Sequence, residues 1–154
     1  MLVRFVVALV LGAILGVDRE LVKKEAGVRT EMLVAGGAAL FTMIALVVPY
    51  LISADTNNLA DVIARNSGFL SIIANIVVGI GFLGAGLIIK TGDRAHGITT
   101  AALVWMTAAI GIIVGLGDFT FAATATILTT LILYVLRSLR ISEHLEGAHF
   151  EETE

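Results

Sequence analysis

The chain contains no cysteine, and only 15% of its 154 residues are charged. The first absence excludes disulfides, thiolate chemistry and cysteine-based zinc sites. The second bears on partners: a net charge of −3, carried by scattered residues, offers no basic stripe for nucleic acid. No activated nucleophile and no acid/base pair can be read along the chain, so an enzyme is not expected. The stretch Gly79-Ile80-Gly81-Phe82-Leu83-Gly84-Ala85-Gly86 contains G-x-G-x-x-G, but no alternating strand pattern precedes it. Without a strand before it and a helix mouth after it, that spelling does not mark a dinucleotide site.

What the chain has is apolar length. Hydrophobic residues make up 58% of it, and the mean hydropathy is +0.98. Charge-free runs cover Met32 to Ala54, Asn66 to Ile89, Gly97 to Gly117 and Phe119 to Leu136. A bilayer crossing takes about 20 apolar residues. A shorter first run, Phe5 to Val17, becomes a span when it starts at Leu2 and Arg4 snorkels to the surface. A cleaved signal peptide is the rival there; Asp18-Arg19-Glu20 stands where a small-x-small cleavage site would be. The expectation is an all-α membrane protein, a bundle of about five transmembrane helices over 2–17, 32–54, 66–89, 97–117 and 119–136. The transmembrane domain ends near residue 140, and 141–154 forms an acidic, solvated tail with His144 and His149.

Basic residues set the expected orientation. Arg19, Lys23, Lys24, Arg29, Lys90, Arg94, Arg137 and Arg140 fall on one side, while Arg4 and Arg65 fall on the other. The positive-inside rule then puts the N-terminus outside and the C-terminus in the cytoplasm. Small residues at helical spacing mark packing seams: Ala8, Gly12 and Gly16; Gly81 and Ala85; Gly111 and Gly115; Ala122, Thr126 and Thr130. Leu116-Gly117-Asp118-Phe119 is short enough to make the last two spans an antiparallel hairpin. In the outer segment, Asn58 is a helix cap and Asp61 pairs with Arg65.

Two polar clusters sit on the basic side. One is Gly16-Val17-Asp18-Arg19-Glu20 with Ala26-Gly27-Val28-Arg29-Thr30, and the other runs from Gly97-Ile98-Thr99-Thr100 to Trp105. Arranged around the glycine block in this order, from about Val10 to Gly117, they resemble the MgtC/SapB family of bacterial membrane proteins. The residues that carry the likeness are Asp18, Arg19, Glu20, Arg29, Thr30, Asn75, Gly79, Gly81, Phe82, Gly84, Gly86, Gly97, Thr99, Thr100 and Trp105. The chain departs from the family pattern at three places: Asp18 where Glu is usual, Glu31 where His or Asn is common, and Ser71 where an arginine tends to stand.

The resemblance implies a multi-pass protein of the bacterial inner membrane tied to magnesium homeostasis and, in pathogens, to virulence. It also implies the short form, without a C-terminal cytoplasmic domain. Members carry the label of magnesium transporter, yet the best-known ones look more like regulators of membrane ATPases. Two functional classes therefore stay open: a regulator acting through membrane partners, and an oligomeric Mg²⁺ or other cation carrier lined by Asn75 and the last-span threonines. At the first cluster, Asp18 and Glu20 are the candidate metal ligands, because Mg²⁺ keeps several waters and binds through one or two carboxylates. The alternative is that Asp18 and Glu20 pair with Arg19 and Arg29 while Thr99 and Thr100 cap a helix. No organic cofactor is expected. A homodimer is, with Gly12, Gly16, Gly111 or Gly115 at the shared interface.

Overall fold

A computed structural model describes residues 1–52, 68–92 and 94–151. Among these residues are five helices: α1 (Leu2–Leu21), α2 (Val28–Ile52), α3 (Gly68–Leu87), α4 (Ile98–Leu116) and α5 (Phe119–Glu151). Between α3 and α4, two short strands, β1 (Ile89–Thr91) and β2 (Arg94–His96), pair antiparallel with Ile89 opposite His96 and Thr91 opposite Arg94. The sequence suggests only a polar turn there; backbone pairing across the turn makes it a hairpin. The expected cap at Asn58 and the Asp61–Arg65 pair lie outside the described residues.

Four helices are long and apolar enough to cross a membrane: α2, α3, α4 and α5. The remaining one, α1, shows the same character on its surface. Its buried stripe is Ala8, Leu11, Gly12, Leu15, Gly16 and Arg19, the i, i+3, i+4 spacing of one helix face. Its outward face is Val3, Val6, Val10, Ile14 and Val17, apolar instead of charged. An apolar exterior of this extent suits lipid and not water. The protein is thus an all-α membrane protein, with one small hairpin among the described residues.

α4 is the hub and touches every other helix. Half or more of the α2 and α4 spans is enclosed (50% and 56%), against 6% of α3 and 11% of α5. The α1–α2–α4 core is built largely from alanine, including Ala8, Ala35, Ala39 and Ala108. Small side chains let the helix axes come close. Glycine brings them closer still. A Cβ on Gly12 would sit 2.5 Å from the Glu31 carbonyl oxygen, and one on Gly16 would sit 2.5 Å from Val28 Cα. Gly111 meets the Ala35 backbone and Gly115 meets Ala39 and Thr42. All four of these glycines face α2 or the turn leading into it, within one chain. That corrects their expected place at an interface between subunits.

The glycine block behaves differently. A Cβ on Gly84 would sit 3.7 Å from Ala101, whereas one on Gly79, Gly81 or Gly86 would meet nothing within 4 Å among the described residues. The expected close-packed α3 is therefore packed at one glycine and open at three.

Short turns fix the ends. α4 begins at Gly97 (φ 83°) and stops at Gly117 (φ 101°), where a left-handed backbone favours glycine. The Asp118 carboxylate then accepts the Phe121 N–H at 3.0 Å and caps α5, folding α5 back on α4. Arg4 does not reach outward. Its Nη1 donates to the Gly115 carbonyl at 2.8 Å, placing a cation at the negative end of α4.

A buried polar cluster at the hairpin end of the bundle

Three helix ends and one loop meet where α1 stops and α2 and α4 start. Asp18, Arg19 and Glu20 close α1, and residues 22–27 turn the chain into α2. Lys23 adopts φ 52° in this turn, and Ala26 is fully buried beneath it. Glu20 turns back over the loop, and its Oε2 accepts the Val28 N–H at 2.9 Å, one of the amides that a helix start leaves unpaired. Asp18 points outward to Arg137 of α5, 3.0 Å away. The expected pairing of these acids with Arg19 and Arg29 is replaced, because the loop amide and α5 stand nearer. Asp18 and Glu20 thus each have a protein partner. Among the described residues no three acidic, histidine or cysteine side chains gather as a metal group.

Arg19 is the centre of the cluster. Its side chain points into the bundle, with 6% of the residue exposed. Its Nη2 donates to the Thr100 hydroxyl on α4, and that hydroxyl donates onward to Glu25 Oε2 at 3.2 Å. Thr100 therefore links helices instead of capping α4. The expected cap is taken by Gly97, whose carbonyl accepts the Ala101 N–H, and Thr99 is exposed. Glu25 is held below the ordinary carboxylate range, first by a hydrogen bond from its own backbone, then by Thr100, with Lys24 and Arg19 adding attraction. A lowered folded value means the contribution is present above the unfolded pKa and fades as pH falls through the folded one. Acidification is therefore expected to loosen residues 22–27, seen as faster amide exchange there. Glu25→Gln should already show fast exchange at neutral pH.

One turn deeper stands Glu31, with no exposed surface. Its polar neighbours are Thr107 of α4 and the Arg19 guanidinium. Both Glu31 carboxylate oxygens, the Thr107 hydroxyl and Arg19 Nε lack hydrogen-bond partners among the described residues. Reading the sequence as family motifs treats Glu31 as a departure and passes over Glu25 and Thr107. A usable signal was present: Glu31, Val34, Ala35, Ala38, Ala39 and Thr42 share one helical stripe, and that stripe is the buried face of α2.

The other motif residues separate into two groups. Arg29, Thr30, Asn75 and Gly79 line an apolar groove of about 720 Å³ between α2 and α3, together with Gly37, Phe41 and Ile76. Trp105 is half-exposed and Phe82 is 84% exposed, on outward surfaces. The last-span threonines lie elsewhere. Thr126 and Thr130 donate to Ala122 and Thr126 carbonyls of their own helix, which packs on α1 and α4. Asn75 and these threonines do not share a path.

Comparison with known proteins agrees with this arrangement of motifs. The MgtC family model matches residues 5–141. Protein MgtC of Brucella abortus (strain 2308) is 39% identical over 132 residues, covering 86% of this chain and 49% of that protein. Protein MgtC of Salmonella typhimurium (strain LT2) is 42% identical over 121 residues, covering 79% of this chain and 46% of that protein. The chain spans about half the length of these curated relatives. No solved structure matches. With a family model running from the first turns of α1 into α5, the chain belongs to the MgtC family.

Proposed function

We propose that this protein is a non-enzymatic regulator of the bacterial inner membrane, linked to magnesium homeostasis, that acts by docking α3 against a helix of a membrane partner such as an ATPase or transporter. In this reading the N-terminus lies outside and the hairpin end faces the cytoplasm, as the basic residues require. The observation that supports it most is the open glycine surface of α3. A Cβ added at Gly79, Gly81 or Gly86 would meet nothing within 4 Å among the described residues, and only 6% of that span is buried. Glycine in a membrane helix favours close approach of another helix, and none of this chain's own helices takes up those three positions. A carrier reading has less support, because the polar residues that would line a path are dispersed or already paired. Ionisable groups inside a membrane normally mark an ion pathway, and here Arg19 and Glu31 stand together at one end.

The test uses Gly79→Leu and Gly86→Leu. A Cβ at either position meets nothing within 4 Å among the described residues, so the purified variants should keep the thermal midpoint and detergent elution of the unmodified protein. Each should lose the membrane protein that copurifies after crosslinking in native membranes. A second copy of this chain as the crosslinked species would make the partner a homo-oligomer. Retained crosslinking in both variants, or Mg²⁺ flux in liposomes holding this protein alone, would overturn the reading.

A further inference from the structure

We propose that Glu31, Thr107 and Arg19 Nε enclose a proton-binding site, in which one water molecule bridges the three groups and Glu31 takes up and releases the proton. A carboxylate brings acceptors, a hydroxyl both donates and accepts, and Nε–H donates; all come from different helices, and among the described residues none completes a well-formed hydrogen bond, although the Thr107 hydroxyl stands within reach of the Glu31 carboxylate. Buried polar groups in native proteins are nearly always hydrogen-bonded, and a buried water needs two to four polar partners. This set is complementary to a single water. The water accepts from Arg19 Nε, donates to a Glu31 oxygen and uses its remaining hydrogen or lone pair on Thr107.

The same three groups also accommodate the neutral acid. When Glu31 receives a proton from hydronium, an O–H bond forms on one carboxyl oxygen and neutral water is left. The new O–H donates to Thr107, whose hydroxyl is free to accept. The local charge rises by one, since arginine keeps its own proton. No other charged group compensates inside. On α1, Asp18 is paired with Arg137 and Glu20 with the Val28 amide. On α2, Arg29 is exposed at the groove, and the groups α4 presents here, Thr100 and Thr107, do not titrate. From the loop, only Glu25 reaches Arg19, through Thr100, with Lys23 and Lys24 exposed around it. Arg19 thus stands between two carboxylates: Glu31, which titrates inside, and Glu25 in the loop. Protonation of Glu31 leaves Glu25 as its counter-charge, so the proton at the buried site reports to the loop surface.

Infrared difference spectra of the reconstituted protein, taken between alkaline and acid pH, test the site. The expected result is a carbonyl band of a buried carboxylic acid that grows on acidification and shifts in D₂O. It should vanish in Glu31→Gln, persist in Glu25→Gln and move in Thr107→Val. Should Glu31→Gln fail to fold, Thr107→Val on protein carrying ¹³C-carboxyl glutamate still locates the band. A band indifferent to Thr107→Val, a band that survives in folded Glu31→Gln, or no pH-dependent carboxylic acid band at all would overturn the proposal. A band that does not shift in D₂O would equally do so, because the acid's own proton must exchange for deuterium.

Discussion

Gly111→Ala is expected to lower the thermal midpoint of the detergent-solubilised protein sharply, and Gly111→Leu to leave little folded protein. At this position α4 crosses α2 with backbone against backbone. An added Cβ would run into the Ala35 carbonyl oxygen and lie 2.9 Å from Ala35 Cα. A flexible side chain can swing aside, whereas a helix backbone must be pushed away as a unit. That movement would also pull Gly115 from Thr42 and open the alanine-rich contacts around Ala39 and Ala108. Overpacking a tight core costs about 1–3 kcal/mol and occasionally more. The α2–α4 contact is central, so the upper end of that range is the expectation for alanine. Gly12→Ala, 2.5 Å from the Glu31 carbonyl oxygen, should behave similarly at the α1–α2 crossing. The contrast is Gly79→Leu, a larger change in an open place, which should cost almost nothing. An unchanged midpoint in Gly111→Ala would show that the helices are not packed as closely as described.

The contrast between Gly111 and Gly79 also shows how far the sequence could be read. Small residues every four positions announce that a helix packs closely, and charge-free length announces that it crosses lipid. The packing signal holds for α4 and the buried stripe of α1, and the length signal for α2, α3, α4 and α5. Neither signal names the partner. Gly111 and Gly79 look alike along the chain, yet one is filled by α2 and the other by nothing in the molecule. Which face meets which helix depends on the relative rotation of all five helices, and that is settled by the whole core. The polar cluster shows the same limit. Arg19, Asp18 and Glu20 are adjacent in sequence, but a helix turns by about 100° per residue, so consecutive side chains point in different directions. Arg19 enters the bundle, Asp18 leaves it towards α5, and Glu20 folds onto the loop. Pairing them by alternating charge therefore gave wrong partners. Glu31 was legible by spacing, since it stands in line with the buried alanines of α2. Its neighbours Thr107 and Arg19 come from α4 and α1, and only the folded bundle brings them together.

Arg19→Met is expected to destabilise the protein severely, and Arg19→Met combined with Glu31→Met to recover most of the loss. Arg19 is a permanent charge enclosed by the bundle, with its Nη2 on Thr100 and the Glu31 carboxylate as its internal counter-charge. Methionine keeps much of the apolar stem and removes the charge. Glu31 then remains fully buried without a cation, and Thr100 loses a donor. Breaking one side of a buried ion pair costs about 3–5 kcal/mol, while replacing both partners with apolar groups is often neutral or stabilising. The sign of the coupling in the double variant is therefore positive and large, of the same order as the single loss. Thr100→Val should cost less, about 1–3 kcal/mol, because it leaves hydrogen-bonding capacity unmet without stranding a charge. Thermal midpoints of the four proteins in one detergent, at one pH, form the double-mutant cycle that measures this. The single Arg19→Met loss should also shrink on acidification, since a protonated Glu31 no longer needs the arginine. If the two single losses simply add in the double variant, Arg19 and Glu31 do not act on each other.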